Sequence, residues 1–179
     1  MTAGQAMFDA AEAARDFDAA FQSRAPAGLR VRAEEGADEG FLRELFIAGW
    51  PLRDALPEPL RTHQIDLHLA AFGRGLADDV MRRIVVDAAA TPVGRLIIDW
   101  RNAAGSYCAD IAVLPQQGGR GIGTALLSAW IDVAAAHGLA CALTVTPDNP
   151  ARALYARLGF LEQPDDLVSA SIEMKLAAP

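Results

Sequence analysis

The 179 residues, 52% of them hydrophobic, suffice for one domain with a real core. A formal net charge of −7 excludes the basic field that binds nucleic acid by counterion release, and suits a cationic or amine-bearing partner. No apolar run approaches the ~20 residues that span a bilayer, the N-terminus carries no basic region or apolar run of signal-peptide length, and His and Cys show no metal-ligand spacing, so a cytoplasmic, metal-free protein is expected.

The first 27 residues are rich in alanine and predict a helix over roughly Ala6 to Gln22. Ala25-Pro26-Ala27-Gly28 ends it. This segment is expected to be a loosely docked extension or linker ahead of a main domain over 28–179, or alternatively a dimer-forming or lid helix. Leu29 to Ala33 alternates apolar and basic residues as a first strand. Phe41, Leu45, Phe46 and Ala48 mark a helix over Gly40 to Trp50, which Pro51 ends. After a loop over Trp50 to Asp54, Leu56-Pro57-Glu58-Pro59 opens another helix. Its apolar face carries Ile65, Leu69, Phe72 and Leu76, with His68 off that face.

Arg83 to Asp87, Val93 to Trp100 and Ser106 to Leu114 read as three antiparallel strands, turning at Ala88 to Thr91 and Arg101 to Gly105. The third strand stops at Pro115. Gly118, Gly119, Gly121 and Gly123 then surround Arg120, and Ile122, Leu126, Trp130 and Val133 start a helix that runs to His137, with Gly138 as a left-handed cap. Glycine allows positive φ and close approach of a ligand to the main chain. The first amides of a helix lack intrahelical partners, and the helix dipole favours an anion there. The stretch therefore reads as a cradle for a phosphate or pyrophosphate. It is not a P-loop, since Thr124 follows Gly123 with no lysine. Nor is it a dinucleotide fingerprint, because neither register supplies the third small residue.

Ala140 to Val145 returns as a strand parallel to the one before the helix. Asn149 and Pro150 suit an N-cap and a first turn, Ala151, Leu154 and Leu158 share a face, and Gly159 caps the end with Phe160 packed back. Final strands fall near Phe160 and over Ser171 to Leu176. Cys108 and Cys141 read as small buried hydrophobes; a disulfide would need their strands adjacent in matched register.

Two of these segments resemble, in order, the motifs of the GNAT superfamily of acyl-CoA-dependent N-acyltransferases. Val113-Leu114-Pro115, then Gly121 and Gly123, is similar to the family's strand exit and Gln/Arg-x-x-Gly-x-Gly/Ala loop. Gly118 stands where the family usually has Gln or Arg, which removes one side-chain contact to a diphosphate; Gln116 or Gln117 is the nearest replacement. Asn149, Leu154, Tyr155, Gly159 and Phe160 are similar to the family's Asn-x-x-Ala-x-x-Leu-Tyr-x-x-x-Gly-Phe. The resemblance spans roughly Leu29 to Leu176. It implies an α/β (α+β) fold: a central mixed, mostly antiparallel twisted sheet of six to seven strands, helices on both faces, and two splayed parallel strands in the middle.

The resemblance also implies acetyl-CoA as cosubstrate and transfer of its acetyl group to a primary amine of a small molecule or peptide. No Cys-His or Ser-His arrangement and no G-x-S-x-G elbow is visible, which favours direct attack in a ternary complex. A non-catalytic acyl-CoA-binding or sensing module on the same fold is the alternative. By the resemblance, Gln117, Gly118, Gly119, Arg120, Gly121, Ile122, Gly123 and Thr124 hold the diphosphate. The Val113 amide polarises the thioester carbonyl, and Asn149 holds the pantetheine arm. Tyr155 is the expected general acid, since a phenol pKa of ~10 is close to that of an alkyl thiol. Asp110 is the expected general base, with a strand-surface charge as the equal alternative. Trp50, His63 and His68 fall on the acceptor side by the same analogy. Members of the family often dimerise, so a homodimer is carried as an expectation.

Overall fold

The computed structural model describes residues 8–50, 55–73, 79–102, 105–164 and 170–179, with the side chains of 72, 73, 101 and 102 left aside. The expected loop after Trp50, Leu76 and the side chain of Phe72 on the third helix, and the tip of the turn after Arg101 lie outside the described residues.

Seven strands form one sheet in the order β1-β2-β3-β4-β5-β7-β6. They are β1 (Arg30–Ala33), β2 (Val80–Val86), β3 (Pro92–Asn102), β4 (Gly105–Val113), β5 (Cys141–Val145), β6 (Leu161–Glu162) and β7 (Ile172–Leu176). Every pairing is antiparallel except β4 with β5, so the fold is the mixed, mostly antiparallel one expected. The helices are α1 (Ala10–Arg24), α2 (Glu39–Gly49), α3 (Glu58–Gly73), α4 (Ile122–Ala136) and α5 (Arg152–Arg157).

The N-terminal segment differs from the loosely docked extension its alanine content suggests. Asp9 caps α1 by accepting from the Ala11 and Glu12 amides at 2.8 and 3.2 Å. Ala13, Phe17 and Phe21, four residues apart, are fully buried in the main core with α4 and with Met81 and Val85 of β2. Arg83 of β2 donates to Asp18 at 2.6 Å, and Arg24 pairs with Asp132 of α4. Helix α4 is thus covered twice, by the sheet and by α1. That is why its sequence is apolar around most of its circumference, with Ala125, Leu126, Leu127, Ala129, Trp130, Val133 and Ala134 all buried.

The opposite face of the sheet is covered by α2 and α3, where Leu42, Ile84 and Val86 form a second, smaller core with Phe41 and Leu69. Strand β4 serves both sides because its register shifts. Ile97 of β3 pairs with Asp110 and the adjacent Ile98 pairs with Cys108, leaving Ala109 as an extra residue. Cys108 therefore joins the α4 core, while Asp110 and Ala112 turn to the α2/α3 side.

Cys108 and Cys141 are both buried and free. Their strands are neighbours, yet Cys141 pairs with Ser106 and Cys108 with Leu143, so no disulfide register exists. Among the described residues no helix is long and apolar enough to cross a membrane, and no group of His, Cys, Asp and Glu could hold a metal ion.

Candidate active site

Strands β4 and β5 pair over Ser106 to Cys108 against Cys141 to Leu143 and then part. The bulge at Ala109 bends β4 at the same point. The Leu114 amide donates to Val93 of β3 at 2.9 Å. Main-chain groups alternate in direction along a strand, so the Val113 amide points the other way, into the gap that β5 has left. The two strands are splayed as expected, with Val113 on the wedge.

Past Val113 the chain makes a 3₁₀ turn over Pro115–Gln117. The amides of Gln117 and Gly118 are consumed there by Leu114 and Pro115 carbonyls at 2.8 and 3.0 Å. Among the described residues the amides of Gly119, Arg120, Gly121, Ile122, Gly123 and Thr124 make no hydrogen bond. Gly119 and Gly121 take φ of +73° and +80°, and a Cβ on either would meet nothing within 4 Å. Glycine is needed at these two positions for backbone conformation, and the space above them is open. Arg120 donates to the side chain of Gln117, so the two residues brace each other at the loop. Of the expected loop contacts, the Gln117 and Gly118 amides are therefore already occupied. Ile122 contributes only its amide, because its side chain is buried. The donors fit the diphosphate of coenzyme A: a row of free amides, glycines without steric cover, and the start of the fifteen-residue helix α4.

Asn149 lies beyond the end of β5. It is not the N-cap of α5, which is Ala151. Its Oδ1 accepts from the Ala151 amide at 2.8 Å in a turn one step earlier, and its Nδ2 makes no hydrogen bond among the described residues. Tyr155 of α5 is 6% exposed and meets Phe160 edge to face at 6.2 Å. Burial pushes its phenol up to about 12, with smaller contributions from the Cys108 thiol and the Asp110 carboxylate.

Asp110 lines a cavity of about 230 Å³ between the sheet and helices α2 and α3. Arg95 of β3, 4% exposed, lies beside it; its Nη1 donates to Asp110 at 3.4 Å, and its Nε and Nη2 donate to Glu34 at 2.7 and 3.1 Å. Burial raises the Asp110 pKa, Arg95 pulls it back, and Glu34 adds to the rise. Leu42, Leu45, Phe46, Trp50 and His68 wall the cavity. Phe46 stacks on His68 with centroids 4.0 Å apart and tilts against Trp50 at 5.4 Å. Burial, then the Arg95 charge, lowers the His68 pKa. Trp50 and His68 thus join Asp110, whereas His63 is exposed and absent from the wall. Arg95, Glu34 and Phe46 were not anticipated as site residues. The signal for Arg95 was its place as a lone cation in the apolar run from Val93 to Ile98.

A model of the acetyltransferase (GNAT) family matches residues 41–160. The chain belongs to that family, whose acetyltransferases take the acetyl group from acetyl-CoA. A comparison with curated proteins gave no match. Among solved structures, an acetyltransferase from Corynebacterium glutamicum, described as a histone acetyltransferase HPA2 and related acetyltransferase, aligns with TM-score 0.62 and 20% identity over 85% of this chain and 97% of its own. The PaiA N-acetyltransferase of Thermoplasma acidophilum, in complex with coenzyme A, aligns with TM-score 0.62 and 16% identity over 83% and 98%. A spermidine N-acetyltransferase variant from Vibrio cholerae aligns with TM-score 0.57 and 20% identity over 84% and 94%. At such identities these structures share the fold.

Proposed function

We propose that the protein is a cytoplasmic N-acetyltransferase that moves the acetyl group of acetyl-CoA to a primary amine by direct attack in a ternary complex. The observation that carries this reading is the row of unpartnered amides from Gly119 to Thr124 at the end of a strand that has parted from its parallel neighbour. Those amides, with the Thr124 hydroxyl and Arg120, hold the diphosphate. Asn149 and the free edge of β4 hold the pantetheine arm, and the Val113 amide polarises the thioester carbonyl. Acetyl-CoA, when bound, supplies the activated acyl carbon.

Asp110 accepts a proton from the attacking amine. Its raised pKa makes it a better base than an ordinary carboxylate. Tyr155 gives its phenolic proton to the sulfur as the carbon–sulfur bond breaks and the carbon–nitrogen bond forms. Its raised pKa keeps that proton in place at every physiological pH. One neighbour from Vibrio cholerae is described as dodecameric; for this chain a homodimer is proposed, to be measured by sedimentation.

A panel of primary amines assayed by free-thiol release from acetyl-CoA tests the transferase, alongside calorimetric titration with acetyl-CoA. Binding with turnover on an amine supports it. Binding with no turnover across the panel favours an acyl-CoA sensor, and no binding refutes both.

A further inference from the structure

The cavity beside Asp110 carries information about the acceptor. Its volume of about 230 Å³ is roughly eight times the share of one liquid water, room for an acceptor of about eight to ten non-hydrogen atoms. Phe46, stacked on His68 and tilted against Trp50, makes a continuous aromatic wall, and Leu42 and Leu45 extend it with aliphatic surface. Burial disfavours the charged form of the imidazole in that wall.

Charge at the floor sorts the remaining candidates. Arg95 is committed to Glu34 and Asp110, so one guanidinium faces two carboxylates. The group attracts an ammonium and repels a carboxylate. A second ammonium finds further carboxylates only outside the cavity, in the adjoining groove lined by Glu34, Glu35, Glu39 and Asp66, where Arg43 pairs with the last two at 3.4 and 2.6 Å.

We propose that the acceptor is a small primary monoamine on an apolar body, an arylalkylamine or branched alkylamine, bound with its nitrogen at Asp110 and its body against Phe46 and Trp50. This rests on the transferase reading above and names the substrate class of that same site. Amino acids are disfavoured by their carboxylate and polyamines by their extra charges in an apolar cavity.

The test uses the full chain loaded with coenzyme A. 2-Phenylethylamine, spermidine, phenylalanine and a lysine-containing hexapeptide are titrated into it by calorimetry, then assayed for thiol release with acetyl-CoA. 2-Phenylethylamine is expected to bind at least about tenfold more tightly than the other three, a span that hydrophobic-pocket discrimination readily reaches. Phe46→Ala is expected to weaken that binding by about tenfold or more, with acetyl-CoA affinity unchanged as evidence of a folded protein. Phe46→Leu, which keeps apolar bulk, is expected to lose less. Tighter binding or faster turnover of spermidine, phenylalanine or the peptide overturns the proposal and leaves the transferase standing. Equal binding of all four, or no effect of Phe46→Ala in a folded protein, also overturns it. Selective binding of 2-phenylethylamine without thiol release upholds the monoamine as the cavity's ligand and refutes the transferase.

Discussion

Replacing Phe21 by alanine tests whether α1 is structural. Phe17 and Phe21 are both fully buried, with ring centroids 6.4 Å apart, in one core with α4 and β2. Truncating a buried phenylalanine costs about 3–5 kcal/mol through lost transfer energy and the cavity left behind. At about 2–4 °C per kcal/mol for a chain of this size, Phe21→Ala should lower Tm by roughly 6–20 °C. Asp18→Ala is the internal comparison. It removes the ion pair to Arg83, in which Asp18 is 40% exposed, and should cost about 1 kcal/mol or less. Urea and thermal unfolding followed by tryptophan fluorescence and circular dichroism give both numbers. A Tm change within about 2 °C for Phe21→Ala, or a separate early transition for the helix, would refute the claim that α1 and the sheet share a core.

Other perturbations reach the loop, the acid and a buried ion pair. Gly121→Glu adds a Cβ at φ +80° and a negative charge beside the free amides; acetyl-CoA binding by calorimetry should fall below detection, and unchanged affinity would remove the cradle. Tyr155→Phe should lower kcat by about 10²–10⁴ with little change in Tm, since the hydroxyl makes no hydrogen bond among the described residues; normal turnover on an accepted amine would end its role as acid. Because the Tyr155 pKa is raised to about 12 and the acid must be protonated, no loss of kcat from this group is expected between pH 8 and 10; a loss in that window that vanishes in Tyr155→Phe would contradict it. Asp38 accepts two Arg32 N–H groups at 2.6 and 2.7 Å, and Arg32 holds its carboxyl below the usual range. That stability is present above the unfolded pKa of about 3.9 and is lost as pH falls through the lower folded value. Asp38→Asn should therefore cost about 2 kcal/mol at pH 7, and the difference from the parent protein should shrink below pH ~4.

The glycine loop was legible because its chemistry is local. Positive φ at Gly119 and Gly121 and the start of α4 follow from a few adjacent residues. The strands and their order along the chain were legible for a similar reason, since Pro115, Gly138 and the turns punctuate them. Their register was not. The run from Ser106 to Val113 reads as one regular strand, and only the register against β3 reveals that Ala109 is extra. Asp110 was picked by resemblance, while its neighbours Arg95 and Glu34 come from β3 and the loop after β1, far apart in sequence. The alanine content of α1 announced a helix, but nothing local said that Ala13, Phe17 and Phe21 would be buried or what would cover them. The apolar girth of α4 was the complementary clue, read only as a helix with one covered face. At Asn149 the local cap signal was real and misplaced by two residues, because Asn149 closes its own turn before α5 begins.

The single surplus alanine at position 109 is what lets one unbroken strand face two ways. Were the bulge ironed flat with every residue kept, Cys108 and Asp110 would share a side. A carboxylate would then be driven into the grease beneath α4, and Ile111 would swing out toward the cavity. One methyl-bearing residue that touches no reacting atom thereby keeps grease and charge on opposite sides of the same ribbon.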